Sequence, residues 1–274
     1  MKLLTLNTHS LSGTNGEKRL AALMELLAAE EPDLAALQEV NQSIAAPLWR
    51  GSVPSGFHAC GATAPLRADN AAARLVSGLA ERGHFYHWLW LPVKVGYDRY
   101  DEGLAILTKA PPADIKAFVI SRENDYQSWR RRMALGVRPE GQDAWFYCLH
   151  MSWWQDADEP FAAQWERLCE QLADTPRVWL LGDMNNPAEV RGEGYDRILC
   201  SDFADAYALA STRQGCETVQ GVIDGWHGRC TGKDRFRIDQ IWCRPTMTVK
   251  SCRTAANGSD RPPLSDHFAV IVES

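Results

Sequence analysis

Seven short polar signatures punctuate this chain, each an Asn, Asp, Glu or His beside an apolar run. In order they are Leu-Asn-Thr-His (6–9), Leu-Gln-Glu-Val (37–40), Asp-Glu-Gly-Leu-Ala-Ile-Leu (101–107), Leu-His-Met-Ser (149–152), Gly-Asp-Met-Asn-Asn (182–186), Arg-Ile-Asp-Gln-Ile (237–241) and Ser-Asp-His-Phe (265–268). They supply oxygen ligands of the kind a hard cation takes, and histidines that can face an oxyanion. Metal-assisted hydrolysis of a phosphate ester needs that donor set.

Glu39 follows the apolar run Leu34-Ala35-Ala36-Leu37 and is placed as a Mg²⁺ ligand; a solvated loop carboxylate is the alternative. Asn7 ends the first apolar run and would sit beside Glu39 on a neighbouring strand, or else open the next loop as an Asx turn. Asp183 and Asn185 are two apart, so an extended segment points both to one side. The Asp suits a general base or a holder of hydroxide, and the Asn an uncharged donor to a phosphoryl oxygen; an ordinary turn is the alternative. His150 and His267 end strands and, if protonated, would stabilise charge on a phosphoryl group. A histidine protonated near neutrality needs a carboxylate partner. Asp239 and Glu102 are the candidates, although Asp239 could instead pair with Arg237 or Arg235.

Substrate recognition has two candidate sources. Trp129-Arg130-Arg131-Arg132 offers guanidinium forks for phosphate; on a strand Arg130 and Arg132 share a face, so at most one side of the run enters the cleft, and a solvated charged edge is the alternative. Aromatic residues crowd the loops at Trp153-Trp154, Tyr97 with Tyr100, and Trp226-His227, with Tyr97, Trp154 and Trp226 the candidates to stack on a sugar ring or base, or else to cap the core.

The elements that must carry these residues follow from periodicity. Residues 2–7, 34–38, 85–91, 104–107, 115–120, 133–137, 145–149, 178–181, 238–242, 246–252 and 268–272 read as strands. Residues 17–30, 67–82, 159–173 and 193–200 read as helices, with 43–66 as loop and 207–235 irregular. Many strands are apolar on both faces, which predicts two sheets packed face to face with helices outside. The signatures then fall at strand ends, where loops carry sites on a rigid frame.

No linker or repeat divides the 274 residues, and residues 1–274 read as one domain. The net charge of −6, from 29 basic and 35 acidic residues, argues against a protein that lives on nucleic-acid phosphates. None of the eight cysteines forms a Cys-x-x-Cys pair, and Cys148 and Cys243 read as small core residues. No stretch reads as a signal segment or a membrane span, so the expectation is a cytoplasmic protein with free thiols.

The order and spacing of these signatures resemble the endonuclease/exonuclease/phosphatase superfamily over residues 3 to 272, with Glu39, Gly182-Asp183-Met184-Asn185 and Ser265-Asp266-His267 the most specific parts. The resemblance implies a four-layer α/β/β/α sandwich of the deoxyribonuclease-I-like kind, with two mainly antiparallel sheets. It implies Mg²⁺, or Mn²⁺ in its place, held by Glu39 with Asn7 and assisted by Asp266. Asp183 would position or deprotonate the attacking water, Asn185 hold the phosphate, His150 and His267 contact phosphoryl oxygens, and Asp239 and Glu102 orient the histidines. Three further stretches, 95–103, 191–196 and 223–226, resemble those of bacterial maltose 6′-phosphate phosphatases. A phosphomonoesterase acting on a sugar phosphate such as maltose 6′-phosphate is therefore expected. The alternatives are a nuclease acting on DNA or RNA phosphodiesters with the same residues, and a binding module that kept the fold.

Overall fold

The structure, a computed structural model, describes residues 1–11, 15–61, 63–221 and 235–274. Strand β1 (Lys2–Asn7) leads to helix α1 (Gly16–Glu30), which buries Leu20, Leu23, Leu26 and Leu27. The helix ends at Glu31, whose left-handed backbone lets its N–H bond to the Leu27 carbonyl just ahead of Pro32. In chain order follow β2 (Leu34–Ser43), α2 (Ala71–Glu81), β3 (His87–Gly96), β4 (Tyr100–Thr108), β5 (Pro112–Val119), β6 (Met133–Pro139), β7 (Trp145–His150), α3 (Phe161–Gln171), β8 (Val178–Asp183) and α4 (Gly194–Leu199). The remainder is β9 (Ala204–Asp205), α5 (Ala206–Leu209), β10 (Thr212–Gln214), β11 (Val219–Gln220), β12 (Arg235–Phe236), β13 (Asp239–Arg244), β14 (Ser251–Ala255) and β15 (Ala269–Glu273).

One sheet has the order β10-β14-β15-β1-β2-β4-β3 and the other β5-β6-β7-β8-β13-β9, with β11 and β12 a separate ribbon. Pairing is antiparallel except at β1–β2, β10–β14 and β7–β8. Parallel neighbours need a crossover, and α1 and α3 provide it for β1–β2 and β7–β8.

Apolar side chains form three layers. Leu3, Ala36, Leu91 and Ile106 from the first sheet meet Leu135, Phe146, Leu181 and Ile241 from the second. Leu4, Leu37 and Leu107 pack outward under α1 and α2. Tyr147, Leu180 and Trp242 pack outward under Phe161, Trp165 and Leu168 of α3. This is the expected α/β/β/α order, built by side chains that alternate between faces along each strand.

That alternation aims the polar residues. Leu3 faces the layer between the sheets, so Asn7 does too; Leu181 aims Asp183, Cys148 aims His150, Ile241 aims Asp239, and Leu104 aims Glu102. Glu39 breaks the rule, since plain alternation would send it outward with Leu37. The β2–β4 register shifts between Leu37 and Val40, and Glu39 takes φ +54°. This bulge turns Glu39 inward and returns Val40 to the outer layer.

Several boundaries differ from expectation. Strands β3 and β4 run past their apolar stretches into polar ends. Helix α2 starts at Ala71 instead of 67, because the Asn70 side chain accepts the Ala73 N–H and caps it there. Strand β14 starts at Ser251, five residues beyond the expected 246. Strand β2 continues through its bulge to Ser43. Cys148 and Cys243 are buried core residues, and all seven described cysteines are free. No helix among the described residues is long and apolar enough to cross a membrane.

Candidate active site

The carboxyl ends of β1, β7 and β8 and the bulge in β2 open into one pocket of about 600 Å³ between the sheets. Its walls include Asn7, Glu39, Glu102, His150, Asp183 and Asn185, joined by Asp266 and His267 from the other end of the chain. Asn7 ties the two sheets together. Its Nδ2 donates to Glu39 Oε1 at 3.0 Å on its own sheet and to Asp183 Oδ2 at 3.0 Å on the other. Its Oδ1 accepts the His9 N–H at 3.0 Å.

Asp183 is placed by Gly182, whose φ is +149°. A Cβ there would collide with the Leu149 carbonyl oxygen, so close approach of β7 and β8 requires glycine. The Asn185 N–H donates to Asp183 Oδ1 at 2.8 Å, and Asn185 Nδ2 donates to the Met151 carbonyl at 2.9 Å. Asn185 itself has φ +50°, an unusual conformation for a non-glycine residue. Burial and the nearby Asp239 carboxylate push the Asp183 carboxyl up to about 6, against the pull of His267 and Asn7.

Asp239 is fully buried behind the pocket, and its Oδ2 lies 2.8 Å from His267 Nδ1. The Asp–Arg alternative is not what forms, because Arg237 pairs with Asp205 at 2.7 Å. His267 Nε2 faces Asp183 Oδ2 at 3.9 Å. Burial alone would lower the His267 pKa, but Asp239, Asp183 and Asp266 raise it to about 10. A folded-state pKa above the unfolded value near 6.5 stabilises the fold fully below about pH 6.5, and the contribution is lost as pH rises through about 10. Replacing Asp239 by Asn is therefore expected to flatten the fall in melting temperature between about pH 6.5 and pH 10. An unchanged slope in a calorimetric pH series would refute the pairing.

His150 has the opposite environment. Its Nε2 is 3.7 Å from Asp183 Oδ2, yet burial, Arg132 and Lys94 hold its pKa well below the usual range. The cationic form expected of both histidines is thus favoured at His267 alone. Glu102 does not contact either histidine as an orienting partner; its Oε1 pairs with Lys94 Nζ at 3.1 Å.

Asp183, Asp239 and His267 offer ligand atoms within 4.8 Å of one another. His267 Nδ1 is already committed to Asp239, and a protonated imidazole has no lone pair for a metal. Glu39 is the better centre for a hard cation. Burial and Glu102 push its carboxyl up to about 7, against the pull of Asn7, His267 and Lys94. Glu39 and Asn7 offer oxygen donors, and Asp266 lines the same pocket with its Oδ2 3.2 Å from His9 Nδ1.

The arginines sit in a turn ahead of β6, not on a strand, so sheet alternation does not apply and both Arg130 and Arg132 line the pocket. Arg131 turns away to the Val93 carbonyl. Tyr97 lines the rim and is 63% exposed. Trp154 does not line the pocket, because it packs against Phe161 of the α3 layer; Trp153 and the 53% exposed Trp129 line it instead. Trp226 lies outside the described residues. Lys94 is a charged pocket residue that sequence reasoning passed over. A lone Lys in the apolar run Leu91-Pro92-Val93-Lys94-Val95 carries the same signal, a charge in a buried strand, that singled out Asp239.

A family model described as the endonuclease/exonuclease/phosphatase family matches residues 4–267. No curated protein sequence matches the chain. Among solved structures, an endonuclease/exonuclease/phosphatase family protein from Leptotrichia buccalis is similar at 25% identity and TM-score 0.83, covering 100% of this chain and 98% of that one. A mannosyl-6-phosphatase from Bacteroides thetaiotaomicron shares the fold at 16% identity and TM-score 0.64, covering 100% and 98%. A 3′-5′ exonuclease from Neisseria meningitidis shares it at 20% identity and TM-score 0.62, covering 100% and 99%.

Proposed function

The chain belongs to the endonuclease/exonuclease/phosphatase family and is a phosphoester hydrolase; from that premise we propose a phosphomonoesterase, dependent on Mg²⁺ or Mn²⁺, that acts on a sugar phosphate such as maltose 6′-phosphate. Glu39 with Asn7, assisted by Asp266, holds the divalent ion. Bound there, the ion supplies Lewis-acid polarisation of a phosphoryl oxygen. Asp183 orients the attacking water and takes its proton. Asn185 and neutral His150 donate hydrogen bonds to the phosphoryl group, and protonated His267, held by Asp239, offsets the charge that develops. Glu102 holds Lys94 in the pocket wall, and residues 1–274 act as one domain.

The observation that carries the monoester reading is the shape and lining of the pocket. It is a recess in which Lys94, Arg130 and Arg132 stand among the carboxylates, with exposed aromatic rings, Tyr97 and Trp129, at the rim. Arg130 stacks on the Trp129 ring at 4.4 Å and is held by Asp158 at 2.6 Å, so both are fixed for a sugar ring to lie against. The mannosyl-6-phosphatase and the exonuclease share the fold equally well, so fold alone does not favour either substrate. The acidic net charge of −6 further favours a small substrate over a nucleic acid.

The test is phosphate release in Mg²⁺ from a panel of sugar phosphates that includes maltose 6′-phosphate, run beside plasmid DNA. Selective release from a disaccharide phosphate, abolished by EDTA and restored by added Mg²⁺, is the expected result. Cleaved DNA with inert sugar phosphates would move the function to the nuclease.

A further inference from the structure

We propose that Lys94 and Arg132 form an anion subsite that reads the second negative charge of a phosphomonoester, and so sets the preference for monoesters over diesters. This deepens the phosphatase reading and rests on it for the substrate.

The two side chains reach one wall from different sheets. Lys94 comes from β3 just past the register shift between Pro92 and Lys94, and Arg132 from the turn before β6. Each is 8% exposed, and each lines the pocket. Lys94 Nζ and Arg132 Nη1 donate to the same carbonyl oxygen, that of Trp129, at 3.1 and 2.8 Å. The two cationic heads therefore sit side by side. Lys94 is balanced by Glu102 at 3.1 Å. Among the described residues Arg132 has no carboxylate at ion-pairing distance: Nη1 donates to the Trp129 and Arg131 carbonyls and Nε is buried without a hydrogen bond, while Glu102, Glu39, Asp183 and Asp156 act on it only from further away. Neighbouring Arg130, by contrast, is paired with Asp158. The positive field of the pair is felt nearby, since both lower the pKa of His150.

A buried guanidinium with no carboxylate in direct contact is costly, and its persistence in a pocket wall is explained if a ligand anion completes it. A phosphomonoester near neutrality carries between one and two charges and three non-bridging oxygens. A diester carries one charge and places an alkyl-bearing oxygen where the third would be. Against Arg132 and Lys94 that substitution leaves buried donors unpaired, the situation in which a polar site discriminates most strongly.

The experiment compares p-nitrophenyl phosphate with bis(p-nitrophenyl) phosphate in Mg²⁺, and measures binding of inorganic phosphate by calorimetry. Arg132→Gln is expected to lower kcat/KM on the monoester about 100-fold and on the diester less than about threefold, and to weaken phosphate binding in parallel. Arg132→Lys, which keeps a cation, is expected to recover at least about tenfold of the monoester loss, which an unfolded variant would not show. Equal losses on both substrates, or unaltered phosphate binding, would overturn the subsite and leave the phosphatase standing. Phosphate binding that depends on Arg132, in a protein that hydrolyses no monoester, would keep the subsite and overturn the phosphatase.

Discussion

Replacing Asp183 by Asn is expected to lower kcat on a sugar phosphate by about 10³–10⁴-fold with the fold intact. The carboxylate sits at the carboxyl end of β8 with Asn7 on Oδ2 and the Asn185 N–H on Oδ1, so an isosteric amide keeps its position. It loses the charge and the basicity needed to take a proton from water. The pH dependence gives a second reading. Because burial and Asp239 push the Asp183 carboxyl up to about 6, wild-type kcat/KM should climb through that pH as the base ionises. The variant should lack that limb. A variant within tenfold of wild type, with the limb retained, would move the water to another residue.

Replacing Glu39 by Gln is expected to act in two directions at once. Turnover in Mg²⁺ should fall by at least about 10³-fold, because the principal oxygen anion for the cation is gone. Stability without metal should rise. Burial and Glu102 raise the Glu39 carboxyl from its ordinary 4.5 to about 7, so its folded-state pKa lies above its unfolded one. Its contribution is favourable below pH 4.5 and is lost as pH rises through about 7, leaving a buried charge that opposes folding above it. Melting in EDTA at pH 8 should therefore be higher for Glu39→Gln by roughly 2–5 °C, and the gain should vanish near pH 4. Melting curves that coincide at pH 8, or full activity in Mg²⁺, would each count against Glu39 as the cation's carboxylate.

Much of this site was legible in the sequence because strand alternation is a strong rule. Asn7, His150, Asp183 and Asp239 each lie an even number of residues from apolar side chains in the layer between the sheets, and they converge for that reason. Glu39 was identified by its place after an apolar run, but its inward turn depends on a bulge at a non-glycine residue, which no turn-forming residue signals. Glu102 is expected beside a histidine and pairs with Lys94 instead, because the apolar run predicts a strand ending at 91 while β3 continues to Gly96 and carries Lys94 into the pocket. The arginine run lies in a turn, where strand period does not apply, so local context decides which guanidinium enters the pocket. Aromatic residues were the least legible. Nothing in sequence distinguishes Trp153, which lines the pocket, from Trp154, which packs under α3.

The single amide of Asn7 that spans the two sheets has a consequence for how the protein loses function. Glu39, proposed to hold the metal, and Asp183, proposed to take the proton, belong to different sheets, and the shared apolar layer sets the distance between them. The catalytic centre therefore has no half that can melt by itself, and no lone subunit of the architecture could retain a weakened activity. Its geometry exists only when the whole sandwich is closed, so loss of activity on heating is expected to coincide with loss of the fold.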